Sequence, residues 1–170
     1  MKEVQEMVKC QYCTPDWLEE SARIYRANPS FQEKLKKLSE KVCYRVKAEP
    51  AWGIDQDIIF GTFIEAGKLT KLAFLSEEES KREANYIMAA TPQEWKKILR
   101  KESKFLTEFI LGKIKLEKGN KVTVLGLAPH APTLVEALTQ VEIQFPDEMS
   151  PDELAKYKSR LEEFRKNLGV

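Results

Sequence analysis

Residues 84–120 read ANYIMAATPQEWKKILRKESKFLTEFILGKIKLEKGN, and this stretch decides the fold. Tyr86, Met88 and Ala90 alternate with Ile87 and Ala89, the period of a β-strand. Thr91 and Glu94 then stand at the spacing of a capping box, which starts a helix carrying Trp95, Ile98 and Leu99. Phe105, Leu106, Phe109 and Ile110 give a second helix an apolar arc over about half its circumference, wide for a short surface helix. Ile114 and Leu116 alternate with Lys113, Lys115 and Glu117, so the chain returns to a strand. Almost none of the usual catalytic side chains occur here. A segment rich in apolar surface and poor in chemistry suits binding a greasy molecule better than transforming one. Taken singly, each apolar residue is accounted for by core packing; together they can line a cavity or groove.

The flanking sequence extends the pattern. Thr14 and Pro15 suit the N-cap and first position of a helix over 15–27, with Glu19 and Glu20 near the positive end of its dipole. Trp17, Leu18, Ala22 and Tyr25 share one face, and Asn28-Pro29 ends the helix. Ser30 and Glu33 predict a second helix with Phe31, Leu35 and Leu38 inward; the same box recurs at Ser76/Glu79 and Ser150/Glu153. Residues 42–47 alternate as a half-buried strand. Residues 57–64 are apolar on both faces and read as a central strand covered on both sides. Ala66-Gly67-Lys68 is a tight turn into a hairpin partner over 69–75. Residues 122–127 read as one more strand. Residues 132–141 read as a helix with Leu134, Val135, Leu138 and Val141 on one face, although Val141, Ile143 and Phe145 also suit a short strand. The last helix carries Leu154, Tyr157, Leu161, Phe164 and Leu168 in one stripe, either docked on the body or used for self-association. The order of elements predicts an α+β domain with one mainly antiparallel sheet covered by helices. We read residues 1–170 as one domain, with an N-terminal tail over 1–13 and a C-terminal extension over 129–170.

Composition narrows the function. The 170 residues are 42% hydrophobic and 32% charged, ordinary for a globular chain. There are 28 basic and 27 acidic residues, so no global field draws nucleic acid or an anionic membrane. No apolar run is long enough for a transmembrane helix, and MKEVQEMVK lacks the apolar core of a signal peptide. A cytoplasmic location is the default expectation.

Few residues carry chemistry. Cys10-Gln-Tyr-Cys13 is a CxxC without the strand–helix setting of a redox motif, though a following helix start can lower the Cys13 pKa. With Cys43 and His130 these cysteines have the inventory of a Cys₃His zinc site but not its spacing. An odd cysteine count argues against a disulfide framework. His130 is the only histidine, flanked by Pro129 and Pro132, and no nucleophile elbow, metalloprotease helix or phosphate loop accompanies it. Lys96, Lys97, Arg100, Lys101 and Lys104 form a basic cluster; residues 91–121 hold nine basic against four acidic side chains. That face is solvated, or else docks weakly to an anionic headgroup or membrane surface. The aromatic interleaving of single-stranded nucleic-acid binders is absent.

Residues 84–120 resemble the core of the sterol carrier protein type 2 family. The features carrying the resemblance are the strand ending Ala89-Ala90-Thr91-Pro92, the helix with Trp95, Ile98 and Leu99, then residues 105–116 and Gly119-Asn120. The likeness extends over about residues 30–128. It implies a five-stranded, mainly antiparallel sheet with helices enclosing an apolar tunnel. It also implies non-enzymatic binding or transfer of fatty acyl chains, acyl-CoA or sterol-like and isoprenoid lipids, with no cofactor and no metal. Carried over, the ligand-lining candidates are Ile87, Trp95, Leu99, Phe105, Phe109, Ile110 and Leu116. Leu134 and Leu138 join them, because the extension stands where the family closes its tunnel. The sequence departs from the family at Lys101-Glu102-Ser103-Lys104, where a glycine-containing turn is usual, and in the added residues 129–170. The expected partner is a long-chain lipid, with no nucleic acid, at most transient membrane contact, and a homodimer as the conceivable assembly. The alternative is an interaction or regulatory domain with a self-filled core that oligomerises or docks through its C-terminal helix.

Overall fold

In the computed structural model, which describes residues 7–170, the sheet is built around β2 (Glu40–Val46). Its order is β4 (Lys68–Phe74), β3 (Ile58–Glu65), β2, β5 (Tyr86–Ala90) and β6 (Lys115–Lys118). All pairings are antiparallel except β2 with β5. Seven of the eight β3 residues are buried, as the two apolar faces predict, although β2 holds the geometric centre. The hairpin turn places Ala66 and Gly67 at φ 48° and 81°. A Cβ on Gly67 would stand 2.4 Å from the Gln32 carbonyl oxygen, so only glycine lets the turn sit against the preceding helix.

Two faces of the sheet differ in depth. Val42, Val46, Phe60, Ile64 and Met88 face the main core, which α1 (Pro15–Ala27), α2 (Pro29–Lys34), α4 (Pro92–Leu99) and α7 (Ala131–Leu138) help to build. Cys43, Ile59, Phe63 and Ile87 face a smaller cluster on the other side, with Leu75 and Ala84 at the two ends of α3 (Glu77–Glu83). On that side Arg45 bonds to Asp57, Glu77 and Glu117 at 3.2, 2.6 and 2.7 Å, tying three elements together. The guanidinium holds the Glu77 carboxyl below its ordinary range, so this tie persists at neutral pH and is lost as pH falls through the lowered value.

The helix starts follow their caps. Ser76 and Ser150 form full capping boxes with Glu79 and Glu153. Thr91 accepts from Glu94 N–H, but no reciprocal bond forms. The second helix begins two residues earlier than its box predicts, because the Asn28 side chain accepts from Ser30 N–H. Residues 122–127 are not a strand. The Asn120 side chain accepts from Val122 N–H and starts α6 (Lys121–Val124), followed by a 3₁₀ segment over Leu125–His130. The cap overrides the β-branched alternation of Val122 and Val124.

The stretch read as a tail belongs to the body from Lys9 onward; residues 1–6 lie outside the described residues. β1 (Lys9–Gln11) pairs in parallel with β7 (Glu142–Gln144), and Tyr12 and Cys13 are fully buried. The stripe of α8 (Pro151–Leu168) packs inward. Tyr157 and Leu161 are buried, the Tyr157 hydroxyl donates to the Tyr12 carbonyl, and Phe164 lies 5.0 Å from Phe74 between ring centroids. Leu154 and Phe164 pack partly buried against the core, and Leu168 is the exposed residue of the stripe.

Candidate functional site

The concave side of the sheet does not fill completely. Between β2, β3, α4 and α7 lies an internal cavity of about 70 Å³. Val42, Tyr44, Phe60 and Met88 form its floor. Trp95, Leu99 and Phe105 close one side and Leu134, Val135 and Leu138 the other. Outside it runs a groove of about 710 Å³ between α5 (Phe105–Ile110), the 3₁₀ segment and α7. Ile98, Phe105, Ala131 and Val135 line both spaces and form the throat between them.

Local sequence positions these walls. The Thr91 cap orients α4 so that Trp95 and Ile98 point down, and Trp95 Nε1 donates to the Arg45 carbonyl at 3.0 Å. Trp95 meets Tyr44 edge-on at 5.7 Å. Phe105 stacks on Phe109 at 5.9 Å and is the α5 side chain reaching the cavity. On the opposite wall Trp17 Nε1 donates to the Leu138 carbonyl at 2.9 Å and fixes the end of α7. The polar content of the cavity is small. The Tyr44 and Thr62 hydroxyls bond to one another at 3.0 Å, and burial pushes the Tyr44 phenol up to about 12, so it stays neutral. Glu40 is the one carboxylate among the lining residues. Such a chamber desolvates apolar matter and holds no paired acid, base and nucleophile.

Five sequence-chosen residues come together here: Trp95, Leu99, Phe105, Leu134 and Leu138. Phe109 and Leu116 pack against the same core without reaching the cavity. Ile87 must be corrected: β5 turns it to the far face, and Met88 lines the cavity instead. Ile110 must also be corrected: it is 70% exposed, because α5 turns Phe105 and Phe109 toward the core and leaves Ile110 on its outer side. Sequence reading missed Tyr44, Phe60 and Thr62, whose shared face follows from the register Tyr44↔Phe60 and Val42↔Thr62. The added residues 129–170 contribute a wall of the cavity through α7.

The other candidates disperse. Cys43 lies on the far face of the sheet from Cys10 and Cys13, so the three thiols do not converge with His130. Among the described residues no group of three potential ligands is arranged for a metal ion. Burial raises the pKa of Cys13 instead of lowering it, and pushes Cys43 up to about 12. All three thiols are free and buried. They should therefore resist iodoacetamide at mildly alkaline pH until denaturant is added; mass-spectrometric detection of rapid labelling in the native protein would contradict this placement. The basic cluster is largely neutralised. Lys96 bonds to Asp147, Lys97 to Glu94, Arg100 to Glu148 and Lys101 to Glu136.

No protein-family model matches the chain, and no curated protein is similar to it in sequence. The likeness is one of fold: the molecule has the architecture of sterol carrier protein 2 structures. The solution structure of a conserved hypothetical protein from Thermus thermophilus, described as a candidate sterol carrier protein, superposes with a TM-score of 0.67. The two are 17% identical over 83% of this chain and 97% of that one. A crystal structure of sterol carrier protein 2 superposes with a TM-score of 0.62 at 19% identity, over 75% of this chain and 97% of that one. Among the described residues no helix is long and apolar enough to cross a membrane.

Proposed function

We propose that the protein binds or carries hydrophobic ligands without chemical change: fatty acyl chains, acyl-CoA, or sterol-like and isoprenoid lipids. The observation that carries this reading is the groove of about 710 Å³ leading through an apolar throat into the core. The inner cavity of about 70 Å³ is smaller than usual ligand sites, while the groove lies within the ~300–1,000 Å³ that such sites occupy. A ligand chain lies along the groove and enters the core as Phe105 and Val135 part. Trp95, Leu99, Phe105, Leu134 and Leu138 contact its buried end. Burial at ~0.8 kcal/mol per CH₂ supplies affinity without a charged anchor. The sterol carrier protein 2 fold supports the reading at the level of architecture, and the free buried thiols suit a reducing compartment such as the cytoplasm.

Gently purified protein is expected to show lipid adducts in native mass spectrometry and to bind a fluorescent fatty acid that unlabelled lipid displaces. Absence of both adduct and displaceable binding would refute the proposal.

A further inference from the structure

The inner cavity is largely apolar and has one hydroxylic spot. Tyr44 on β2 and Thr62 on β3 both line it, and their hydroxyls bond to one another at 3.0 Å. Two hydroxyls carry two hydrogens, and the bond between them uses one. Whichever oxygen donates, the other keeps a hydrogen with no acceptor. Among the described residues neither hydroxyl has a second hydrogen-bond partner. Thr62 is 3% exposed, and the Tyr44 ring packs against Phe60 and Trp95 at centroid distances of 5.1 and 5.7 Å. Burial also keeps the phenol protonated at neutral pH, so the hydrogen is present under ordinary conditions. Its acceptor has to come from the cavity.

The other polar groups around the cavity do not supply it. Trp95 Nε1 donates to the Arg45 carbonyl, and the Tyr12 hydroxyl pairs with the Cys13 thiol. Glu40 lines the cavity without bonding to either hydroxyl. A saturated chain end pressed against the pair would bury that hydrogen unpaired, a larger loss than the net gain from an ordinary hydrogen bond. An uncharged oxygen accepts it, and a hydroxyl also donates back to a free lone pair. A carboxylate does not suit the spot, because a single donor cannot replace its hydration and the Glu40 carboxylate borders the same space. The outer groove, with Lys101 and Lys104 against Glu136, has a net positive lining. The charged head of a fatty acid therefore stays in the groove while its far end enters the core.

We propose that the Tyr44–Thr62 pair selects lipids whose inward end carries an uncharged oxygen, a hydroxyl or a ketone, over lipids that end in a saturated methyl. The inner cavity of about 70 Å³ has room for such an end, a methylene and its oxygen. The inference rests on the lipid-binding reading and adds to it the chemistry of the end that enters the core.

The test compares ω-hydroxypalmitic acid with heptadecanoic acid as competitors of a fluorescent fatty acid. The two have the same length and the same carboxylate, and they differ in whether a hydroxyl or a methyl enters first. The wild-type full chain is expected to bind the ω-hydroxy acid about fivefold more tightly, the net effect of one hydrogen bond. The double variant Tyr44→Phe/Thr62→Val removes both hydroxyls at nearly constant shape, which leaves no buried donor behind. Its preference should reverse, because a hydroxyl end then enters an apolar space without a partner. Circular dichroism checks that this variant is folded, and the wild-type ratio decides the matter by itself if it is not. Equal or weaker binding of the ω-hydroxy acid by the wild type would overturn the proposal and mean that an enclosed water already satisfies the pair. So would a preference that the folded double variant retains, which would place the ligand hydroxyl elsewhere. Binding of neither acid would overturn the lipid-binding reading as well, whereas binding of both without preference overturns this inference alone.

Discussion

Replacing Trp17 by alanine is expected to lower folding stability by about 3–5 kcal/mol, the range for deleting a buried tryptophan from a packed core. Trp17 is wholly buried, contacts Tyr12 and Phe60 at centroid distances of 5.3 and 5.4 Å, and donates to the Leu138 carbonyl. Truncation opens a cavity and leaves that carbonyl without its partner at the end of α7. Denaturant unfolding followed by circular dichroism would show the midpoint shift. Trp17→Phe separates the two causes, since it keeps most of the volume and loses the bond. A Trp17→Ala midpoint within error of the wild type would mean that α1 and α7 are not joined as described.

The second large effect concerns the throat. Val135→Trp places an indole where cavity and groove meet, against the Phe105 side chain from which Val135 must part to admit a chain. The inner cavity of about 70 Å³ has room for about two methylene-sized groups. Shutting a ligand out of it forfeits ~0.8 kcal/mol for each, a loss of affinity of about fifteenfold or more. Displacement titration of a fluorescent fatty acid measures this directly. The fold should hold, because the added side chain can turn out into the groove of about 710 Å³, and unchanged thermal unfolding would show it. Unchanged affinity with the throat blocked would place the bound chain wholly in the outer groove.

The fold was largely legible because local signals agreed with the global arrangement. Ser76/Glu79 and Ser150/Glu153 start their helices as their spacing predicts, and residues 84–120 form the strand–helix–helix–strand run. Where two local signals competed, the sequence was silent about the winner. At 120–124 an asparagine cap defeated a β-branched alternation. The site was half legible for a specific reason. Helical spacing places Trp95, Leu99, Phe105, Leu134 and Leu138 on inward faces, and the structure puts all five at the cavity. A strand that is apolar on both sides does not reveal which side is the concave one. Ile87 and Met88 are therefore interchangeable by pattern, and only pairing with β2 turns Met88 inward. The wide arc of α5 carried two faces that composition cannot separate, one toward the throat and one toward solvent. The pairing of β1 with β7 had no local signal, because a three-residue parallel ladder across most of the chain is written in neither segment alone.

That ladder has a consequence for how the molecule is made. Tyr12 accepts from Tyr157 across 145 residues, and Trp17 reaches Leu138 across 121. Residues 9–17 leave the ribosome early but find their partners only after α7, β7 and α8 have been synthesised. Until then Tyr12, Cys13 and Trp17 are exposed on an unfinished chain, since domains dominated by distant contacts close late and slowly. The main sheet can assemble earlier in synthesis, while the clasp of residues 9–17 must wait until α7, β7 and α8 have emerged. Nascent chains stalled before residue 138 should therefore be held by chaperones through this N-terminal segment.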